Sequence, residues 1–482
     1  MHIAMVSSEA APFIKTGGLG EVVFGLAKEL AKTNEVSILL PLYKGLSFMS
    51  EDEIMKKKPF RTNIRVHIAW REEICDVYKV KVEGINYYFL RCDRYFLRDN
   101  GIYSYYDDIE RFAFFTHAAL DFLITLRYPP KIVHLHDWHA GLLPFLVKEQ
   151  EYYARRLDKT KFVLTIHNPA YQGLLDVSGL ENIYEISPAW HNRGCLDFNG
   201  MVSTLKGAIL YSDLVTTVSK TYRDELLTSE HGMGFEQLLK DKKDKFIGIV
   251  NGIDDNYYNP EKDIYTSHFG IDSYTKGKLN NKRRVLEELH LTGEDIPLIS
   301  FVSRFTWQKG LGLIFSSIPH AVELGANIVI MGSGEKELEL VAKSYEAMYP
   351  SKVRVIIGYD ERLAHLIYAG SDFTLVPSLF EPCGTSQLIA MRYGSIPIVR
   401  ATGGLVDTVV PYDGLNYEKA TGFSFVNFDS VSLSDTISRA IDIYFNNKWL
   451  LKRIIRNDLK TNNSWKKYAK LYLRAYNKAV GK

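Results

Sequence analysis

Arg304 and Lys309 stand five residues apart in Ser303-Arg304-Phe305-Thr306-Trp307-Gln308-Lys309-Gly310, directly behind the apolar run 298–302. A guanidinium grips an anion as a bidentate fork and an ammonium as a point charge, so two cations at one strand end can converge on a diphosphate. A solvated surface pair is the competing reading. Lys15-Thr16-Gly17-Gly18-Leu19-Gly20 follows the first apolar run in the same way. Its glycines allow close backbone approach, the helix that follows offers free N–H groups to an anion, and Lys15 adds charge. Such a turn is structural about as often. It is neither a dinucleotide fingerprint nor a P-loop, because the glycine spacing is wrong and no Gly-Lys-Ser/Thr follows.

Two further strand ends are rich in imidazole: His134-Leu135-His136-Asp137-Trp138-His139 and Thr165-Ile166-His167-Asn168. Zinc, capping or packing, and hydrogen bonding to a hydroxyl-rich ligand are all open here; without thiols or an HExxH pattern the last is favoured over a metal. In Phe380-Glu381-Pro382-Cys383-Gly384-Thr385-Ser386-Gln387 a carboxylate stands beside an expected helix start, before the helix 388–393. Ala401-Thr402-Gly403-Gly404-Leu405 places a glycine pair before another, at Leu405. No Asp-x-Asp pair accompanies these cations; Asp107-Asp108 and Asp254-Asp255 lie outside clear strand-end loops of the second half. Cations and helix dipoles would then carry the leaving-group charge that Mg²⁺ carries elsewhere. Cys383, with no histidine nearby in sequence, reads as a small buried residue rather than a nucleophile.

The elements that must hold these segments are strands and helices in alternation. A strand at 1–7, a loop at 8–17 and a helix at 18–32 with Leu19, Val22, Val23, Leu26, Ala27 and Leu30 at helical spacing open the chain, followed by a strand at 36–40. Residues 61–92 read as an antiparallel hairpin at a sheet edge, and strands resume at 132–135, 162–166, 214–218 and 247–250. A polar stretch, 254–296, separates this series from a second at 298–302, 327–331, 353–357, 373–376 and 396–399. The alternation predicts α/β architecture with two doubly wound parallel sheets. Ligands would sit at the carboxyl ends of the strands, in the cleft between the two domains. The 482 residues exceed what one core supports. Lys+Arg 59 against Asp+Glu 57 leaves a net charge of +2, which gives no global field toward nucleic acid or an anionic membrane. Four scattered cysteines suit a reducing compartment. No signal peptide or membrane span is legible, so a soluble cytoplasmic protein is expected.

Lys15-Thr16-Gly17-Gly18-Leu19, His136-Asp137-Trp138-His139, Val250-Asn251-Gly252-Ile253-Asp254, Ser303-Arg304 with Gln308-Lys309-Gly310, Glu381-Pro382-Cys383-Gly384 and Thr402-Gly403-Gly404-Leu405-Val406-Asp407-Thr408 closely resemble, in order along the chain, the bacterial glycogen synthase and plant starch synthase family, glycosyltransferase family 5. The resemblance implies the GT-B fold, two Rossmann-like domains facing each other across a deep cleft. Residues 1–250 with a returning helix at 464–482 would form the glucan (acceptor) domain, and 251–463 the nucleotide-sugar domain. It implies transfer of glucose from ADP-glucose to the non-reducing end of an α-1,4-glucan with retention of configuration, no cofactor and no metal. Lys15 and Gly18 would lie against the diphosphate and sugar, Arg304 and Lys309 would bind phosphates, and Thr385, Gly403 and Gly404 would offer helix-start N–H groups. His167 and Asn168 would contact the glucose, Glu381 would stand near it, and Tyr359 would stack on the base. Asp137, His139, Asn251, Cys383 and Gly384 complete the implied substrate-binding set, with Glu381, His167, Lys15, Arg304 and Lys309 as the catalytic group.

Two positions depart from the pattern. Related transferases carry a second Glu eight residues after the first, where this chain has Ile389, which leaves Gln387 as the nearest polar substitute. Glu21 stands where the family usually has Asp. The alternatives are a UDP-sugar-using retaining enzyme of the same architecture, such as a sucrose- or trehalose-phosphate-type transferase, and a catalytically dead glucan-binding protein; a hydride-transferring Rossmann enzyme lacks its fingerprint.

Overall fold

The computed structural model describes residues 1–99 and 101–481; residue 482, the last of the expected terminal helix, lies outside them. The chain divides into two compact units. Unit 1 comprises Met1–Val218, Arg223–Ile249 and Trp465–Lys482, and unit 2 Ser219–Tyr222 with Val250–Ser464. The sequence reading assigned all of 1–250 to one domain; Ser219–Tyr222 instead belongs with the second, where Ser219 Oγ donates to Pro382 O and Thr221 Oγ1 to Asp407 Oδ1.

Unit 1 is built on nine strands: β1 His2–Val6, β2 Glu35–Pro41, β3 Arg61–Ile68, β4 Arg71–Val82, β5 Ile85–Arg91, β6 Ile132–His136 and β7 Lys161–Ile166, then β11 Leu214–Thr217 and β12 Phe246–Gly248. A small sheet of β8 Leu174–Leu175, β9 Asp197–Phe198 and β10 Met201–Ser203 stands apart. The order β12-β11-β7-β6-β1-β2-β5-β4-β3 reverses direction between β1 and β6. That is the switch point beside which an open α/β sheet leaves a crevice at its carboxyl ends. β1 and β6 are buried almost throughout, as continuous apolar runs in a parallel sheet should be. The helix Gly18–Ala31 buries Val22, Val23, Leu26, Ala27 and Leu30, the face its spacing predicts. The expected hairpin is a three-stranded antiparallel meander, β3 to β5, whose last strand joins β2 in parallel.

The terminal helix Trp465–Ala479 packs on the helix Gly18–Ala31 in unit 1. Gly25 makes this approach possible, because a Cβ there would lie 2.0 Å from the Trp465 indole nitrogen. Tyr476 Oη meets His134 Nδ1 at 2.8 Å.

Unit 2 has six parallel strands: β13 Leu298–Val302, β14 Asn327–Gly332, β15 Val353–Ile357, β16 Phe373–Val376, β17 Ile396–Arg400 and β18 Phe423–Phe425. Their order is β15-β14-β13-β16-β17-β18, with the switch between β13 and β16. The polar stretch 254–296 is not a spacer. It contains the helix Tyr274–Glu288, whose Lys278 is buried and donates to the carbonyls of Ala369, Ser371 and Tyr393. Lys282 beside it is paired with Asp372 at 2.7 Å. Low hydropathy hid a packed helix because its buried face mixes the satisfied Lys278, Asn281 and Lys282 with only a few apolar residues, Tyr274, Val285 and Leu286. Among the described residues no helix is long and apolar enough to cross a membrane.

Candidate functional site

In unit 1 the segments after β1, β6 and β7 all lie at the carboxyl ends beside the switch point. The β1 exit carries Lys15 and Gly18 on an exposed loop, with Lys15 Nζ on Glu21 Oε1 at 2.8 Å. The glutamate found where Asp is usual thus reaches back to the lysine across the helix start. A Cβ added at Gly17 or Gly18 would meet no atom within 4 Å, so the backbone here faces open space.

Behind this loop the imidazoles form a buried chain. His134 Nε2 meets Thr165 Oγ1 at 2.6 Å, and His136 Nδ1 meets His167 Nε2 at 3.0 Å. His139 stacks on Trp138, with ring centroids 4.5 Å apart. Burial lowers the pKa of His134, His139 and His167 to about 3 and holds His136 well below its ordinary value. All four are neutral at pH 7, each ring with one N–H donor and one acceptor nitrogen; both nitrogens of His134 are taken by Thr165 and Tyr476, and the remaining rings suit hydroxyls rather than anions.

Asp137 joins the two strand ends. Its Oδ1 accepts the N–H groups of His167 at 2.7 Å and Asn168 at 3.4 Å. Its backbone sits at φ 57°, ψ −158°, a region costly for any residue with a side chain and found where surrounding structure enforces it. Burial raises its carboxyl to about 7, against the pull of those two N–H groups. Asn168 turns its Oδ1 onto Ala170 N at 3.0 Å.

In unit 2 the charges are not neutralised but paired. Lys309, in the 3₁₀ turn Trp307–Lys309 behind β13, sets its Nζ 2.6 Å from Glu381 Oε2, and Ser378 Oγ donates to the same oxygen at 2.8 Å. Both side chains are largely withdrawn from water. Backbone bonds stitch the two loops together: Leu379 N donates to Gln308 O at 2.8 Å, and Gln308 Nε2 to Phe380 O at 3.1 Å. Arg304, on the same β13 loop, is exposed and has no ion-pair partner among the described residues.

Three expectations change in detail. The helices after β16 and β17 begin at Ser386 and Gly403, earlier than expected. Gly404 does not offer its N–H to a ligand, because that group already donates to Glu381 O at 3.0 Å; a Cβ there would lie within 2.3–2.7 Å of the Cys383 backbone, so the glycine serves close packing. Gln387 is no stand-in for a substrate-facing carboxylate. It is fully buried, its Nε2 donating to Cys383 O, Gly384 O and Thr408 Oγ1, while Ile389 lies in the core. Cys383 is the small buried residue expected: its Sγ accepts from Asn251 N at 3.3 Å, and burial pushes its thiol up to about 12.

Thr385 and Gly403 open these two short helices, and Asn251 is buried with its Oδ1 unpartnered. Tyr359 is exposed behind β15, two strands from β13. Each unit therefore brings its own expected residues to one end of one sheet. The residues that sequence reasoning missed are Ser378, which fixes Glu381, and the Glu9–Tyr103 pair described below. Glu9 was legible as a carboxylate at a strand exit; its partner lies 94 residues on and only the fold brings it near. Among the described residues no group of three or more His, Cys, Asp or Glu is arranged to hold a metal ion.

Two doubly wound units, each with polar residues gathered at its switch point, define a two-domain α/β glycosyltransferase of the GT-B fold. Residues 2–241 match the starch synthase catalytic domain family and residues 283–471 the group 1 glycosyl transferases. The glycogen synthase of Geobacillus stearothermophilus is 40% identical over 488 residues, covering 100% of this chain and 98% of its own. The catalytic domain of starch synthase IV from Arabidopsis thaliana, solved bound to ADP and acarbose, superposes with a TM-score of 0.90 at 33% identity over 100% of this chain and 99% of its own. Sucrose-phosphate synthase from Thermosynechococcus elongatus, at 16% identity and TM-score 0.62 with 100% and 99% covered, shares the fold alone. The chain belongs to the glycogen and starch synthase family, whose members are glucosyltransferases.

Proposed function

We propose that this chain transfers glucose from ADP-glucose to the non-reducing 4-OH end of an α-1,4-glucan, with retention of configuration and without a metal. The observation that carries the reading is the buried Lys309–Glu381 pair at the unit 2 switch point, on the loop that also bears the exposed Arg304. A preorganised ammonium and a free guanidinium are what a departing nucleoside diphosphate needs, because they stabilise developing charge without reorganising at the moment of reaction. Starch synthase IV with its bound ADP and acarbose supports the donor and acceptor classes.

Glu381 is committed to Lys309 and Ser378 rather than standing free as a nucleophile. This supports front-face attack, in which the acceptor hydroxyl approaches on the side from which the diphosphate leaves and a phosphate oxygen takes its proton. Arg304 and Lys309 meet the phosphates, Tyr359 the base, and Lys15 and Gly18 the donor. The neutral His139 and His167, with Asp137 and Asn168, read sugar hydroxyls. The four cysteines are free, which supports work in the reducing cytoplasm. The test is transfer of radiolabelled glucose from ADP-glucose into glycogen with unlabelled UDP-glucose as competitor. Incorporation that resists UDP-glucose is expected; efficient incorporation from UDP-glucose instead, or none from either, would overturn the reading.

A further inference from the structure

Gly17 and Gly18 leave the Lys15 loop without side chains to anchor it, and the Lys15–Glu21 pair is exposed and of little worth for holding it. What fixes the loop is a buried carboxylate the mechanism above does not use. Glu9, three residues beyond the end of β1, accepts the Thr16 N–H at 2.5 Å on Oε2 and the Thr16 hydroxyl at 2.9 Å on Oε1. Oε1 also accepts the Tyr103 hydroxyl at 2.7 Å. Because the Tyr103 proton goes to Glu9, the 2.7 Å contact between Ser8 Oγ and Tyr103 Oη is donated by Ser8.

The same tyrosine ring stacks on His139, with centroids 5.4 Å apart at 30°. Glu9 thus reaches both the lysine loop and the imidazole-bearing strand end. A carboxylate withdrawn from water is costly unless its lone pairs are met. An apolar side chain would fill the space more cheaply but could not orient a peptide N–H.

We propose that Glu9 is a positioning residue. Its carboxylate sets the orientation of the Thr16 peptide, so that Lys15 on one side and Gly17-Gly18 on the other are presented to the donor, with Tyr103 locking that loop to His139. The inference rests on the reading of Lys15 as a donor contact. A residue acting only through Lys15 loses its effect once Lys15 is gone, whereas a general structural defect does not.

The experiment is a cycle of kcat and KM for ADP-glucose and glycogen in the full chain, using Glu9→Gln, Lys15→Ala and the double variant. Gln keeps the shape but turns one acceptor into a donor facing donors. Glu9→Gln is expected to lower kcat about 10–100-fold, the scale of a small misplacement of a catalytic group, with the KM for glycogen within about threefold. In the Lys15→Ala background it should cost less than about threefold. An equal fold-loss in both backgrounds, or full activity in Glu9→Gln, would overturn the proposal. Should Glu9→Gln fail to fold, Thr16→Val, which removes one donor to the same carboxylate, enters the same cycle with the same two outcomes. Full activity in Lys15→Ala would remove the donor-contact reading of Lys15 and this inference with it. No transfer by the unaltered chain would instead sink the proposed function, so the failures are distinguishable.

Discussion

The two switch points solve opposite problems. In unit 1 the strand ends carry the buried His134, His136 and His139 and the half-buried His167, all held neutral by desolvation, beside a carboxyl raised to about 7. In unit 2 they carry a lysine and a glutamate that stay within 2.6 Å of each other and an arginine left in solvent. Desolvation removes charge where no counter-charge is supplied and tolerates it where one is. The difference teaches that one sheet end is suited to hydroxyls and the other to an anion, although both arise from the same βα architecture.

The largest effect expected from breaking this contrast lies in unit 2. Arg304→Ala and Lys309→Ala should each lower kcat by about 10²–10³, or about 3–4 kcal/mol of barrier, as loss of one preorganised donor does elsewhere; steady-state rates with ADP-glucose and glycogen check this, and near-normal turnover would remove the role. The two glycine pairs sharpen it further. Gly404→Ala drives a Cβ into the Cys383 backbone and should displace the Glu381 loop, costing activity about 10–100-fold together with thermal stability. Gly18→Ala meets no protein atom within 4 Å, so its melting temperature should not move. A rise of about tenfold in the KM for ADP-glucose, a little over 1 kcal/mol, would then report ligand contact alone, and no change would mean that the donor does not approach this backbone.

The smallest effect is a loss of stability in acid centred on the histidines of unit 1. His117, at about 4, and the four strand-end imidazoles have folded pKa values below the ordinary 6.5, so the unfolded chain binds more protons there. Their stabilisation is fully present above pH 6.5 and is lost as pH falls toward about 4 and then 3. Asp121 and Asp137, both raised to about 7, act in the opposite sense, favouring the fold as pH falls below 7, but they are fewer than the imidazoles. Stability of unit 1 should therefore fall as pH drops from 6 to 4, because the five imidazoles outnumber the two carboxyls. Hydrogen exchange across that range should show amides of β6 and β7 losing protection before those of β13 and β16; the reverse order would contradict the contrast.

Much of this was legible in the sequence, for a physical reason. Short, mostly apolar runs such as 132–135 and 298–302, alternating with amphipathic stretches, fit parallel strands covered on both faces, and a strand's exit is where polar residues need explaining. Lys15, Asp137, His167, Arg304, Lys309 and Glu381 were found that way. What stayed hidden depends on packing between distant segments. Lys278 lies in a stretch that reads only as polar, though three carbonyls enclose it, and Gly404 looked like an open helix start until Cys383 filled the space above it. Gln387 read as a polar substitute because its burial is imposed by Thr408 and the loop 383–384, not by its neighbours in sequence.

The central claim is that the anion is held by unit 2 charges and not by unit 1 imidazoles. Calorimetric titration of ADP into the full chain and into Arg304→Ala and His167→Ala at pH 7.5 tests it most directly. Arg304→Ala should weaken ADP at least tenfold, with a shallower salt dependence than the unaltered chain, while His167→Ala should leave the Kd within about twofold. Unchanged ADP affinity in Arg304→Ala, or a loss in His167→Ala as large as that expected for Arg304→Ala, would contradict the account.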